Sequence, residues 1–398
     1  MHEVKTRNKR ETKTHIDLGL FLGILVLFIF GIVVLYSASY YHGLTQMQEA
    51  DPTHFVKKQF LIGTVSLFGM LFVGYKFDYR ILKNIKIAWF LYFISIGLLL
   101  SLYVIGVESK GATRWIPLPF GLNFQPSEIA KIAVIIMISA FIVKHKNEMN
   151  RLIRVIQAWL IVLIPSVLIA MENLSSGIVV AFVGAVIIFM GSPKVWFYYV
   201  LAFIAIFLVA GLVLTIFNTP PDQELGGFLG KILKGYRLER IRVWQDPWRD
   251  ASVGGYQPIQ ALYAIASGGL WGSGLGNGMQ KLGFLPEPHN DVIFSVIAEE
   301  LGVLGIGFLF VLYSIIIFRG FSIAFKCNDF FGALVAVGIS VLVGIQVIIN
   351  ACVNTNIMPT TGMQLPLVSY GGTALVILLG TLGILLNISF HVNKTKKD

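Results

Sequence analysis

Long apolar segments recur along this chain and constrain its fold more than any other feature of the sequence. Ten of them occur, near residues 16–39, 58–75, 85–106, 127–143, 153–171, 177–191, 195–217, 292–318, 330–352 and 366–390. Most are about 18 to 25 residues long, the length that a helix needs to cross a ~30 Å hydrocarbon core. The sequence therefore predicts an all-α polytopic membrane protein with about ten transmembrane helices, which form a single membrane domain over 1–398.

The composition excludes an ordinary soluble protein. Charged residues make up 13% of the chain, whereas a soluble domain carries about 25%. The net charge of +10 does not indicate a nucleic-acid partner, because cytoplasmic loops of membrane proteins collect Lys and Arg. The two cysteines, Cys327 and Cys352, are too few for a disulfide framework, and we expect free thiols.

Basic residues lie in alternate connections between the apolar segments, and this pattern predicts the orientation. They occur in the N-terminal tail (1–15), near 76–86, near 144–154, at Lys194, near 319–326 and in the C-terminal tail (391–398). All of these positions fall on one side of a ten-helix bundle, which is therefore predicted to be cytoplasmic. Both termini are then cytoplasmic, and a large extracytoplasmic loop, residues 218–291, joins helices 7 and 8.

This loop is too long to be a plain connection, because structureless loops beyond ~15 residues are uncommon and usually functional. Residues 227–243 are predicted to form a basic amphipathic helix, and Tyr256 to Leu270 a second helix or re-entrant segment. The first helix carries Arg237, Arg240 and Arg242. Arginines on the outer side are explained either by a phosphate-rich ligand or by anionic lipid headgroups, and both interpretations stay open.

A second polar segment precedes the fourth apolar run. Pro126, Ser127 and Glu128 are predicted to begin a helix, because proline suits the first turn and an acidic residue suits the positive end of the helix dipole. Lys131 follows one turn later and can pair with Glu128. An ionisable residue just inside a membrane helix usually faces a cavity, so these residues are candidates for a site as well as for a helix start.

Three acidic residues mark the eighth apolar run. Asp291 stands at its outer mouth, where it either caps the helix or serves as a general base in a cleft. Glu299 and Glu300 lie two to three turns inside, and facing lipid would cost each about 2–4 kcal/mol. At least one of them should therefore face the protein interior. The glycine-rich stretch 272–278 is not a dinucleotide-binding loop, because no strand precedes it as such a loop would require. It is predicted to be a tight turn instead.

Three groups of motifs give the chain a resemblance to a known family. They are Gly111-Ala-Thr-Arg-Trp-Ile with Gln125-Pro-Ser-Glu, Leu285-Pro-Glu-Pro-His-Asn-Asp with Ile297-Ala-Glu-Glu-Leu-Gly, and the segment 359–372. In this order, and over nearly the whole chain, they resemble the SEDS proteins (shape, elongation, division, sporulation). Residues 246–248 and 274–281 are more similar to the FtsW and SpoVE branches than to RodA. The chain departs from the family pattern at Asn173, Asn290 and Val292.

The resemblance implies a peptidoglycan glycosyltransferase in the cytoplasmic membrane of a bacterium, with its active site on the outer face. It would polymerise lipid II during cell division, using a glycan on undecaprenyl pyrophosphate as donor and the sugar 4-hydroxyl of lipid II as acceptor. A class B penicillin-binding protein and other division proteins would be its partners. Asp291 would correspond to the family's essential aspartate and act as general base.

The residues expected to contact the substrate lie in or near these motifs. They are Lys110, Arg114, Trp115, Gln125, Ser127, Glu128, Lys131, Arg237, Arg240, Arg242, Gln257, Gln260, Glu287, His289, Glu300 and Ser369. The basic members are candidates to stabilise the departing pyrophosphate. A divalent cation such as Mg²⁺ is compatible with this chemistry, but no carboxylate cluster and no His/Cys spacing demands a metal.

Two rival functions stay open. Charges midway across the membrane, such as Glu299 and Glu300, favour a lipid II flippase. The second rival function is that of a non-catalytic scaffold that activates a partner synthase. The polar motifs are concentrated on one face, and the chain has no two related halves, both of which argue against a transporter.

Overall fold

The computed structural model describes residues 15–45, 50–109, 112–118, 122–193 and 236–395. Within them the helices are α1 (Leu18–Thr45), α2 (His54–Lys76), α3 (Ile85–Ile105), α4 (Pro126–Lys144), α5 (Leu152–Glu172), α6 (Leu174–Gly191), α7 (Tyr236–Gln245), α8 (Tyr256–Gly268), α9 (Ile293–Lys326), α10 (Phe330–Asn354) and α11 (Gly372–Thr395). Short 3₁₀ turns occupy Tyr79–Lys83, Lys146–Glu148 and Pro247–Asp250.

Nine helices of the described part are long and apolar enough to cross a membrane, namely α1 to α6 and α9 to α11. They confirm the prediction of an all-α polytopic membrane protein. The segment 195–217, which is predicted to cross as well, lies outside the described residues, and so does the first half of the predicted amphipathic helix. The chain is therefore a multi-pass membrane protein.

The bundle is built from helices that pack in pairs. Helix α2 packs along α11, α5 along α6, α9 along both α10 and α1, and α3 along α4. Buried aliphatic side chains of α1, α4, α10 and α11 form a continuous core. Large apolar side chains of α2 and α3, such as Phe68, Phe72 and Phe90, are exposed. Such side chains are expected on helices that face lipid, because a bilayer solvates them as well as a protein core does.

A small antiparallel sheet joins α3 to α4 and was not predicted from the sequence. Its strands are β1 (Val107–Ser109), β2 (Ala112–Leu118) and β3 (Leu122–Phe124), in the order β1-β2-β3. The strands are three to seven residues long, too short to produce a clear alternation of apolar and polar residues. The sheet matters for the site because β2 carries Arg114 and Trp115 to the start of α4.

Helix α9 is broken at Gly302, where the backbone has φ +64° and ψ −164°. The break leaves carbonyl and amide groups without partners in the helix, and the loop that follows α8 supplies them. The amides of Ser273 and Gly274 donate to the carbonyls of Glu299 and Glu300, both at 2.9 Å. Irregular backbone within a membrane helix is tolerated only where protein covers it or where it lines a cavity. The loop thus completes the broken helix.

Glycine is required at the break for two reasons. Its positive φ is costly for other residues. A Cβ atom on Gly302 would also lie 2.5 Å from the carbonyl oxygen of Leu270, which belongs to the covering loop. Both glutamates that precede the break are buried, with 3% of Glu299 and 1% of Glu300 exposed. This confirms the expectation that at least one of them faces the interior.

Candidate functional site

A cleft of about 400 Å³ opens where α4, α10 and α11 meet the β sheet. This volume lies in the range of ligand-binding clefts, about 300–1,000 Å³. Polar side chains line its mouth, and its floor between α4, α10 and α11 is formed largely by aliphatic residues such as Ile132, Leu342 and Leu378. A ligand with a charged head and an apolar tail would suit both parts.

Asp291 lies on the wall of this cleft. It does not cap α9, because the helix begins at Ile293 and its N-cap position is Val292. The interpretation of Asp291 as the cap residue is therefore wrong by one position. Its backbone lies outside the helix, and its carboxylate Oδ2 points toward Gly362, 3.7 Å from the place where a Cβ atom of that glycine would lie.

Several basic side chains line the same cleft. The Arg114 Nη1 atom also lies 3.7 Å from the Cβ position of Gly362, so that Arg114 and Asp291 border one small volume. The Arg114 Nε atom donates to the carbonyl of Glu172 at 2.8 Å, which orients the guanidinium group. Lys58 and Lys131 line the cleft too. The arrangement places positive charge around a carboxylate, as an anionic substrate requires.

Helix α7 contributes a further guanidinium group from the large loop. Arg240 lines the cleft, and its Nη1 atom donates to the carbonyl of Thr360 at 3.0 Å. One turn later, Trp244 Nε1 donates to the carbonyl of Asn356 at 3.0 Å. Two residues on one face of α7 therefore fasten this helix to the segment that follows α10.

The start of α4 supplies the buried ion pair that its spacing predicted. Lys131 Nζ lies 2.7 Å from Glu128 Oε1, and 3% of the lysine side chain is exposed against 18% of the glutamate side chain. Pro126 occupies the first turn, as expected. The Ser127 hydroxyl is buried and has no hydrogen-bond partner among the described residues. A buried lysine held by one carboxylate keeps a charge beside the floor of the cleft.

The segment between α10 and α11 closes the cleft opposite α4. Ser369 accepts a bond from the Leu365 amide at 2.8 Å and donates to the carbonyl of Asn290 at 2.6 Å. Burial raises the pKa of Tyr370, which keeps its hydroxyl protonated and able to donate a hydrogen bond. The segment thereby joins the Asp291 wall to the rest of the site.

Most of the residues predicted from the sequence converge on this cleft. Its lining includes Arg114, Trp115, Gln125, Glu128, Lys131, Arg240, Gln257, Glu287, Asp291 and Ser369. The structure does not bring Ser127, Arg242, Gln260, His289 or Glu300 to its wall. Lys110 and the side chain of Arg237 lie outside the described residues. Described residues of the lining that were not among the predicted substrate contacts include Lys58, Asn123, Asn173, Ser176, Gln346, Gln364, Tyr370 and Thr373.

Glu300 is the clearest departure from the sequence prediction. Its carboxylate forms a buried ion pair with Lys281 and accepts from the Ser37 hydroxyl at 2.6 and 2.8 Å. The neighbouring Glu299 accepts from the amide of Met279 at 2.6 Å. Both carboxylates therefore hold the loop 269–282 against the broken helix. The placement of Glu300 supports a role in the fold rather than a contact with substrate.

His289 also lies behind the wall rather than on it. Its ring is buried and packs against Phe55 at 4.4 Å and His42 at 4.8 Å between ring centroids. The amide of Tyr370 donates to its backbone carbonyl at 2.9 Å. Within the described residues, no group of three or more His, Cys, Asp or Glu side chains is placed to hold a metal ion.

Known proteins are similar to this chain over almost its whole length. The family model FtsW/RodA/SpoVE, described as cell cycle protein, matches residues 18–394. A protein of Bacillus subtilis named probable peptidoglycan glycosyltransferase FtsW is 35% identical over 393 residues, which cover 96% of this chain and 93% of the relative. Stage V sporulation protein E of the same organism is 34% identical, with 95% of this chain and 96% of the relative covered.

Solved structures share the fold as well. A chain from a peptidoglycan synthase complex, in which polymerization and crosslinking are coordinated, matches with a TM-score of 0.75 and 26% identity, covering 95% of this chain and 98% of that one. The rod shape determining protein RodA of Thermus thermophilus matches with a TM-score of 0.62 and 26% identity, covering 94% and 96%. The resemblance seen in the motifs thus extends to the whole fold.

Proposed function

The chain belongs to the FtsW/RodA/SpoVE family of cell cycle proteins, and we propose that it is a peptidoglycan glycosyltransferase whose chemistry takes place in the cleft around Asp291. Its relatives named FtsW are described as probable peptidoglycan glycosyltransferases. The single observation that carries the proposal for the site is the convergence of the Asp291 carboxylate with Arg114, Arg240 and Lys131 in one cleft.

The proposed reaction is a single displacement at the anomeric carbon of the donor sugar. The carboxylate of Asp291 accepts the proton of the lipid II 4-hydroxyl as general base. The hydroxyl oxygen forms a bond to the anomeric carbon while the bond from that carbon to the pyrophosphate oxygen breaks. The electron pair leaves with the undecaprenyl pyrophosphate, and the configuration at the anomeric carbon inverts.

The basic side chains have a separate part in this scheme. Negative charge develops on the leaving pyrophosphate, and guanidinium or ammonium groups fixed nearby stabilise it. Arg114 and Arg240 suit this task because backbone carbonyls already hold both guanidinium groups in place. Lys131 adds charge near the aliphatic floor, where a polyprenyl tail would lie. A divalent cation such as Mg²⁺ would add positive charge beside these residues, but the proposal does not require one.

The orientation and partners follow from the same proposal. The cleft lies at the end of the bundle that the charge pattern assigns to the outer face, where lipid II is polymerised, and both termini are then cytoplasmic. A class B penicillin-binding protein is the proposed partner, because the similar structure is part of a complex that couples polymerization to crosslinking. A relative named FtsW and a relative named stage V sporulation protein E are both similar to this chain.

A lipid II flippase is the rival function. The buried charges Glu299 and Glu300 favoured it at the level of sequence, but they are engaged in holding a loop. Arg114, Arg240 and Asp291 instead gather around the cleft at one end of the bundle. A transporter would place substrate-binding groups near the membrane midplane. The third candidate, a scaffold without catalysis, leaves the convergence of acid and bases in the cleft unexplained.

The test is polymerisation of lipid II by the purified protein together with its cognate class B penicillin-binding protein. The partner alone is the control, and the product is glycan separated on a gel. The proposal expects glycan strands whenever this protein is present, with or without the partner, and none from the partner alone. Movement of fluorescent lipid II across vesicles without glycan would establish the flippase instead. Glycan made by the partner alone, at a rate that rises when this protein is added, would establish the scaffold.

A further inference from the structure

Two asparagines of α10, Asn350 and Asn354, bind the backbone of Asp291. The Asn350 side-chain amide donates to the Asp291 carbonyl oxygen at 2.9 Å, and the Asn354 amide donates to the same oxygen at 3.0 Å. Both asparagines are almost completely buried, with 1% and 2% exposed. Neither is among the described residues that line the cleft. They therefore contact the site through backbone atoms, above all the carbonyl of Asp291.

Asp291 needs this support because no regular element fixes it. It precedes the N-cap position of α9 by one residue, so the helix does not determine its backbone. A carbonyl oxygen has two lone pairs, and here two amide groups from one helix bind it. The position of the Asp291 carboxylate depends on this backbone, and a displacement of about 1 Å can lower a catalytic rate about a hundredfold.

The same segment is also held from the opposite wall of the cleft. The Ser369 hydroxyl donates to the carbonyl of Asn290, and the Tyr370 amide donates to that of His289. Three consecutive carbonyls, 289 to 291, are thus bound from outside the segment. Asn350 links the two walls, because its amide also donates to the carbonyl of Met363 at 2.7 Å.

We propose that Asn350 and Asn354 are positioning residues that hold the backbone of Asp291, and with it the general base, against the opposite wall of the cleft. The inference rests on the proposed function of Asp291. It adds two residues at the C-terminal end of an apolar helix to the set on which turnover depends. An asparagine buried in a membrane helix needs hydrogen-bond partners, and here the partners are backbone atoms of the site.

Asn387 offers a matched control in the same bundle. It is a buried asparagine of α11 whose amide donates to the carbonyls of Gly74 and Phe77, and whose oxygen accepts from the Tyr79 amide at 3.0 Å. It therefore binds backbone in the same manner, but at the end of the bundle remote from the cleft. Asn387→Leu should lower stability as the other two replacements do, without acting on Asp291.

The experiment compares Asn350→Leu, Asn354→Leu and Asn387→Leu as full-length proteins with the cognate partner, per mole of folded protein. We expect all three to lower the thermal midpoint in detergent. Only Asn350→Leu and Asn354→Leu should lower kcat, each about tenfold or more, with KM for lipid II unchanged, since neither side chain contacts substrate. Wild-type kcat in both, or an equal loss in Asn387→Leu, would overturn the inference.

Two further variants keep the result decisive. If the leucine variants do not fold, Ser295→Ala serves instead, because the Ser295 hydroxyl donates to Asn354 Oδ1 at 2.8 Å and orients that amide. It should lower kcat in the same direction, and an unchanged kcat would overturn the inference. Asp291→Asn is measured beside them. An inactive Asp291→Asn with fully active asparagine variants refutes only the positioning role, whereas an active Asp291→Asn refutes the general base itself.

Discussion

Asp291 and Glu300 lie nine residues apart on the same segment, yet the structure gives them opposite surroundings. Asp291 borders an open cleft with basic side chains across from it. Glu300 is enclosed with Lys281 and Ser37, which bind its carboxylate. A carboxylate that is fully bound by protein groups has little capacity left for a substrate. From this difference we expect that the surroundings of an acid in this chain, rather than its presence in the sequence, decide between chemistry and support.

Removing the enclosed carboxylate of Glu300 is expected to have the largest effect on stability. Glu300→Ala leaves Lys281 buried without its partner, and breaking such a buried pair costs about 3–5 kcal/mol. We expect a large fall in the thermal midpoint of the purified protein. Replacing both members, as Lys281→Met with Glu300→Leu, should recover much of the loss, because no uncompensated charge then stays buried. A stable and inactive Glu300→Ala would instead place Glu300 in the chemistry.

The volume between Arg114 and Asp291 gives the next test. Gly362→Ala places a methyl group 3.7 Å from both side chains, at a backbone with φ +67°. Gly276→Ala is the control, since that glycine also has a positive φ, +86°, and among the described residues, apart from its chain neighbours, no atom lies within 4 Å of its Cβ position. Both variants carry similar strain of about 1–2 kcal/mol.

Only the variant at the cleft should change catalysis. We expect Gly362→Ala to lower kcat/KM for lipid II polymerisation about tenfold to a hundredfold relative to Gly276→Ala, because it displaces substrate from the acid and the guanidinium group. Equal activity of the two variants would mean that this volume is not occupied during the reaction.

The smallest effect is expected at an exposed ion pair. Lys83 Nζ lies 2.7 Å from Asp329 Oδ1, and 44% and 20% of the two side chains are exposed. Such pairs contribute about 0–1 kcal/mol, because water screens them. Lys83→Met should therefore shift the thermal midpoint far less than Glu300→Ala does. An equal shift would show that burial does not separate the two kinds of pair in this protein.

The sequence predicted the spans well, because a hydrocarbon core imposes a length and an apolar composition on every crossing helix. It also placed the start of α4 at Pro126 and the pairing of Lys131 with Glu128, both of which are local effects within one turn. The three strands were missed, since they are short. Helix α9 continues to Lys326, beyond the predicted end at 318.

The errors at the site come from contacts between residues distant in the sequence. Glu300 is bound by Lys281, 19 positions away, and by Ser37, 263 positions away. The sequence therefore could not distinguish this enclosed acid from one that lines a cleft. Asn350 and Asn354 were missed for the same reason. Two asparagines at the end of an apolar helix give no signal until the structure shows that Asp291, 59 and 63 positions away, accepts their hydrogen bonds.

The most direct test of the account is the rate of glycan polymerisation by Asp291→Asn, measured with the cognate partner and compared with wild type and with the Lys281→Met, Glu300→Leu double variant. The account predicts a loss of about a hundredfold to ten-thousandfold for Asp291→Asn at an unchanged thermal midpoint, and substantial activity in the double variant. Full activity of a folded Asp291→Asn would contradict it, because the proposed base would then be dispensable.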